Sequence, residues 1–198
     1  MRTPTAGDEE GIRALLEECI GIGFFDPSDI DHRFSFVCAV EERVVGVVLA
    51  TLRPYAAMRD FYRDKAALLH WGVDAEPDVA GHIREVAVLP EFRRASMATR
   101  LLARSEATLG DSGAAFFVAN AWIRHDTLKS PGAHLLEGRG YQAMGDIPGF
   151  FQLVGAGADV VCPACQDSPC ACGARAFVKD TRASGAERGV PESTDVQA

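Results

Sequence analysis

The 198-residue chain has no apolar run of the roughly 18–20 residues that a membrane-spanning helix requires. Its longest apolar-rich stretch, residues 44–52, is strand-sized. The opening Met1-Arg2-Thr3-Pro4-Thr5 lacks the apolar core of a signal peptide, so a cytoplasmic location is expected. No segment repeats. A basic excess is also missing. The net charge of −8 argues against non-specific nucleic-acid binding, which needs a cationic surface. Before position 162 cysteine is scarce, with only Cys19 and Cys38, each alone in an apolar pattern. What remains has the 47% apolar content of an ordinary globular protein, and is long enough for one domain with a core plus something small.

Periodicity places the elements. Thr5-Ala6-Gly7-Asp8 has the form of a helix start, a hydroxyl followed three residues later by a carboxylate. Ile12, Leu15, Leu16, Cys19 and Ile20 then recur at helical spacing, and Gly21 and Gly23 end the run. Residues 35–40 and 44–52 read as a β-hairpin around Glu41-Glu42-Arg43, with Pro54 as its stop. A helix is predicted over 55–71, a turn at 74–78, a strand at 83–88 and a helix over 96–109. Residues 115–122 read as a buried strand. Ser130-Pro131 opens another helix, with Ser as N-cap and Pro at the first position, ending at 138–140. A last strand is predicted at 150–154. This order implies an α/β domain with a mixed sheet. Three units are expected: a main domain over 1–158, a small segment over 159–178, and a polar, disordered tail over 179–198.

Residues 83–102 carry the most chemical information. A buried strand runs into a short basic turn, and small residues then open a helix. A helix N-terminus offers free N–H groups and the positive end of a dipole, and small residues let a diphosphate approach them. Arg93, Arg94, Arg100 and Arg104 concentrate positive charge in an otherwise acidic chain. Physics alone leaves a second reading open, an ordinary strand–turn–helix unit with a solvated arginine face.

The stretch resembles motif A of the GNAT superfamily of N-acetyltransferases, in which V-x-V-x-P leads into R/Q-x-x-G-x-G/A. Val86-Ala87-Val88-Leu89-Pro90 fills the first pattern, and Arg93-x-x-Ser96-x-Ala98 the second, with Ser96 in place of the first glycine. Leu135-Leu136-Glu137-Gly138-Arg139-Gly140-Tyr141 is similar to the family's L-Y-E-K-x-G-F. The resemblance covers roughly residues 5–154. It implies a mixed, mostly antiparallel twisted sheet flanked by helices. It further implies acetyl-CoA as cosubstrate, with the pantetheine arm along Val86, Ala87 and Val88. The pyrophosphate would lie at Arg93, Arg94, Ala95, Ser96, Met97, Ala98 and Thr99, and Asn120 would contact the arm or cap its strand.

For such an enzyme a base must deprotonate the amine. Glu85 is the first candidate and His82 the second. Strict strand alternation sets His82, Arg84 and Val86 on one face and Glu85 on the other, which would keep the two apart. The family's proton-donating tyrosine falls on Leu136, which cannot donate. Tyr141 fits core packing, and His134 is as readily a surface residue. The acceptor loops are expected at 24–34 and 55–71.

Cys162-Pro163-Ala164-Cys165 and Cys170-Ala171-Cys172 form C-x2-C-x4-C-x-C. Four thiolates complete a tetrahedral shell around Zn²⁺, so Cys162, Cys165, Cys170 and Cys172 are the expected ligands of a structural zinc. An iron–sulfur cluster or redox-active thiols are the other readings. Ala176-Phe177-Val178 could form a small strand beside the cluster. The functional expectation is transfer of acetyl to a primary amine, on a small molecule or a protein, without nucleic acid or membrane and with a homodimer allowed. Two alternatives stand beside it. One is a non-catalytic acetyl-CoA-binding module whose knuckle contacts a partner, and the other is a zinc-centred interaction factor.

Overall fold

The computed structural model describes residues 1–65, 76–153, 161–166 and 170–182, and for residues 64 and 65 the backbone only. Helix α1 is Glu9–Cys19, preceded by a 3₁₀ turn over Ala6–Asp8. Thr5 N–H donates to Asp8 Oδ2 at 2.7 Å, as the sequence pattern implied. Strands β1 (Phe36–Val40) and β2 (Arg43–Pro54) form the hairpin. Its two turn residues, Glu41 and Glu42, both have positive φ, the geometry that matches strand twist in a two-residue hairpin. Then follow α2 (Tyr55–Lys65), β3 (Val79–Val88), α3 (Met97–Asp111), β4 (Phe116–Ile123), α4 (Ala133–Glu137), β5 (Gln142–Ile147), α5 (Phe150–Leu153) and β6 (Gly173–Asp180). No described helix is long and apolar enough to cross a membrane.

Among the described residues six strands lie in the order β1-β2-β3-β4-β6-β5, and of these only β3 and β4 are parallel neighbours. Helices cover both faces. On one, Leu101, Leu102 and Leu109 of α3 and Leu136 of α4 pack against Val48, Ile83, Val88, Phe117 and Phe177. On the other, Ile12, Leu15 and Leu16 of α1 pack on Val47, Leu49, Ala87 and Leu89. Beside them Tyr55, Met58 and Tyr62 of α2 pack on Ala80, Phe116 and Val118. Each fully buried leucine here contributes about 1.5–3 kcal/mol relative to leaving it in water.

The structure differs from the sequence expectations in three places. Residues 150–153 are a helical turn, not a strand; residue 154 lies outside the described residues. The Phe150-Phe151 pair has no period of its own, and the two rings pack edge to face against each other. The strand in that region is β5, whose Ala, Gly and Asp content hides its β character. Helix α4 begins at Ala133, after a turn in which Ala133 N–H donates to the Ser130 carbonyl, so Ser130 and Pro131 precede the helix. Third, residues 176–178 belong to the eight-residue β6, which is inserted between β4 and β5 in the main sheet. Lys179 and Asp180, expected to open the disordered tail, end β6, held by pairing with β4. The predicted helix beyond residue 65, the start of the turn at 74–78 and the rest of the tail from 183 lie outside the described residues.

Candidate active site

Strand β3 runs through Leu89 into a 3₁₀ turn over Pro90–Phe92. Arg93 Nε donates to the Val88 carbonyl at 2.9 Å and folds the turn back against the strand end. Arg94 and Ser96 then adopt left-handed backbone, with φ of 65° and 54°. This is glycine-favouring geometry, and at Ser96 a β-carbon is carried through it. Among the described residues no side-chain hydrogen bond caps the start of α3, so its first-turn N–H groups remain directed out of the helix end. Val88, Phe92, Arg93, Arg94, Ser96, Met97, Ala98 and Thr99 line a cavity of about 320 Å³ at that end. A diphosphate suits this cradle, because helix dipole, open N–H groups and two arginines converge on it. Val86 and Ala87 lie upstream on β3, and Ala95 belongs to the turn without lining the cavity.

β3 and β4 pair at three positions only, Gly81↔Phe117, His82↔Val118 and Ile83↔Ala119. Beyond them β3 continues along β2 as far as Val88, and β4 continues along β6 as far as Ile123. The two strands therefore splay, and the β4-facing main chain of residues 85–88 has no strand beside it among the described residues. The splay coincides with a β-bulge. Leu49 pairs with Glu85 and Ala50 pairs with Ile83, which leaves Arg84 as the extra residue.

The bulge overturns strict alternation. Ala80 packs with α2 before it, and Ala87 packs with α1 after it. Ile83 before it, and Val86 and Val88 after it, pack with α3. An extra residue at Arg84 thus places His82 and Glu85 on the same face, the α1/α2 face. The predicted separation of Glu85 from His82 is corrected accordingly, because a period of two holds only in an unbulged strand.

Both side chains are half-buried. Burial pushes the Glu85 carboxyl up to about 7, with Asp29 adding to the rise and Arg84 opposing it. Burial pushes the His82 imidazole down to about 3, and the charges of Arg84 and Arg53 press in the same direction. At neutral pH the face therefore holds a carboxyl poised to exchange its proton beside a neutral imidazole. Arg84 forms an ion pair with Asp29, which stands on the connector between α1 and β1.

The profile of the Acetyltransferase (GNAT) family matches residues 9–130, more than half of the chain. The chain belongs to the GNAT acetyltransferase family. Solved structures agree in fold. Arabidopsis thaliana Naa50 in complex with bisubstrate analogue CoA-Ac-MVNAL has a TM-score of 0.60 at 10% identity, covering 90% of this chain and 95% of that one. Chaetomium thermophilum Naa20, also with a bisubstrate analogue, has a TM-score of 0.60 at 17% identity, covering 97% and 92%. The Drosophila melanogaster polyamine N-acetyltransferase that forms N-acetylagmatine has a TM-score of 0.58 at 15% identity, covering 90% and 98%. At such identities the likeness speaks for the fold alone. No curated protein sequence matches the chain.

In this acetyltransferase the motif position of the family's tyrosine is a core position. Leu136 and Tyr141 are both buried in the α3-side cluster, and His134 is exposed and faces Glu137 at 3.3 Å. Tyr62 reads in the sequence only as an apolar position of the predicted 55–71 helix. It is fully buried, and its hydroxyl accepts a hydrogen bond from Asn120 Nδ2 at 2.6 Å. Asn120 directly follows Ala119, the last β4 residue paired with β3, so it stands where the splay opens. Its Oδ1 is buried with no hydrogen-bond partner among the described residues.

A second cavity, about 500 Å³ and open to solvent, is lined by residues 28–33 with Thr51, Arg53 and Arg84. Thr51 lies opposite His82 across the β2–β3 pair. Residues 28–33 fall within the connector that the sequence suggested as an acceptor loop. The strand residues Thr51, Arg53 and Arg84 carried no sequence signal, because only the folded sheet places them beside His82 and Glu85.

The four cysteines of the C-terminal segment converge. Their Sγ atoms all lie within 4.8 Å of one another. The distances are 3.4 Å for Cys162–Cys170, 3.5 Å for Cys165–Cys172, 3.7 Å for Cys162–Cys172 and 3.8 Å for Cys165–Cys170. A tetrahedron with Zn–S of about 2.3 Å has edges of about 3.8 Å, so the set fits that ion. Backbone N–H groups point at the sulfurs, among them Cys165 onto Cys162, Ala171 onto Cys165 and His125 onto Cys172. The knuckle is docked on the domain. Val161 bridges Ile22 after α1, and at Gly21 an added Cβ would lie 2.8 Å from the Cys162 Cα. Phe24, Trp122 and Phe151 pack around it.

Proposed function

We propose that this enzyme transfers acetyl from acetyl-CoA to a primary amine, on a small molecule or a protein, by direct attack of the amine on the thioester. One observation carries the reading: the strand that ends in the diphosphate cradle also bears the splay and, on the opposite face from α3, Glu85. Acetyl-CoA supplies an activated acyl group. The cradle at Arg93, Arg94 and residues 96–99 would hold its pyrophosphate. The β4-facing edge of Val86, Ala87 and Val88, where β3 has no strand beside it among the described residues, would take the pantetheine arm, and Asn120 would stand across the splay from it.

Glu85 is the base. It accepts a proton from the ammonium, freeing the nitrogen lone pair to form the new C–N bond as the C–S bond breaks. Its elevated pKa matches that task near neutral pH. His82 shares its face and stays neutral, so it adds no positive charge where an ammonium must approach. The acylated nitrogen loses its second proton to solvent and the leaving thiolate takes one from solvent; thiolate is a fair leaving group unaided. The knuckle cysteines bind one structural Zn²⁺, and their closed four-sulfur shell leaves no position for substrate.

Purified protein incubated with acetyl-CoA and a panel of primary amines, with free thiol followed over time, tests the reading. Amine-dependent thiol release is expected. Tight acetyl-CoA binding without release on any amine would favour the non-catalytic module, and no acetyl-CoA binding would refute both.

A further inference from the structure

The neighbouring cavity has a charge pattern that bears on which amines reach Glu85. Two carboxylates and three arginines line it. Each carboxylate is already engaged. Arg33 holds Asp31 through Nε and Nη2 at 3.2 and 3.0 Å, and Arg84 holds Asp29. Arg53 is exposed to the cavity and forms no ion pair among the described residues. Its charge is felt at His82, on the same face as Glu85. The surplus is therefore positive, in a protein whose net charge is −8.

We propose that this cavity is an anion subsite, and that the acceptor is an amine carrying a carboxylate at its far end, held by Arg53. This rests on the acetyl-transfer reading above. A guanidinium recognises carboxylate through two parallel N–H···O bonds, and a cationic tail would meet the same surplus as repulsion. Geometry sets the spacing. Glu85 lies opposite Leu49, and Arg53 stands four residues further along β2, about 13 Å at the usual rise per residue. The reach of the arginine shortens that gap to the length of an extended ω-amino acid; an α-amino acid is too short.

Thiol release with 6-aminohexanoate, hexylamine and 1,6-diaminohexane tests the subsite, because the three differ in the tail group. The expected order of kcat/KM is aminohexanoate, then hexylamine, then diamine, with at least about fivefold between the first two. In Arg53→Gln the aminohexanoate-to-hexylamine ratio falls to about one, and in Arg53→Lys it is partly restored. A preference for the diamine, or an Arg53→Gln variant that keeps the wild-type ratio, overturns the proposal. If acetyl-CoA binds and no amine releases thiol, the transfer reading fails instead. Calorimetric titration of 6-aminohexanoate into wild type and Arg53→Gln then decides the subsite: binding only to wild type supports it, and no binding to wild type overturns it.

Discussion

The two sides of β3 are built from different materials. Toward α3, the cradle is main chain, small residues and a helix end, closed by the Arg93 contact to its own strand. Toward α1 and α2, the face is made of side chains drawn from distant segments: Asp29 and Asp31 from a connector, Arg53 from β2, Arg84 from the bulge and Tyr62 from α2. The first kind of site needs a local backbone path and leaves a contiguous motif. The second needs only that the folded sheet bring charges together. A cofactor shared by many enzymes suits the former, and an acceptor peculiar to one suits the latter.

The division can be broken from either side. The largest effect is expected at Glu85. Glu85→Gln should lower kcat by about 100- to 10,000-fold while acetyl-CoA affinity holds. In the wild type the rate should rise with pH through about 7 as Glu85 ionises, and the variant should lose that limb. Stability carries the same signature with the opposite sign. A carboxyl raised in the folded state is deprotonated first in the unfolded chain, so stability falls as pH climbs from its ordinary range to about 7. Glu85→Gln should flatten that decline in a pH series of thermal melts.

Next is the knuckle. Cys165→Ser combined with Cys170→Ser should abolish metal content, measured as zinc per chain, and lower the Tm by roughly 10 °C. Acetyl-CoA affinity should survive, since the knuckle docks on Ile22 and His125 and not on the cradle. Loss of cofactor binding in that variant would show that the two sides are not separable. A smaller effect is expected from Arg93→Ala, about tenfold weaker acetyl-CoA binding by calorimetry with the pH limb unchanged. The smallest comes from Ser96→Gly. Relief of the left-handed strain, offset by glycine's extra chain entropy, should stabilise the fold by at most about 1 kcal/mol in denaturant titrations.

The same division explains what was legible in the sequence. The hairpin, α1, the β3–α3 unit and the cysteine spacing declare themselves, because periodicity, turn chemistry and ligand spacing are local properties. The faces of His82 and Glu85 were misread because nothing in His82-Ile83-Arg84-Glu85 marks a bulge; the extra residue exists only relative to β2. β5 is hidden in the sequence because Gln142-Ala143-Met144-Gly145-Asp146 is poor in strand formers, and among the described residues it pairs only with β6, which lies beyond the knuckle in sequence. Arg53 lies between the predicted strand end at residue 52 and Pro54 and carries no signal of its own. Its place on the face of His82 and Glu85 is a property of the sheet.

The most direct test is a crystal structure with acetyl-CoA. The account predicts the pyrophosphate at the N-terminus of α3, against Arg94 and residues 96–99. It predicts the thioester in the splay beyond Ile83 and Ala119, reached by Glu85 and the Arg53 cavity from the face opposite α3. A cofactor lying outside the splay, or a thioester that Glu85 does not face, would contradict it.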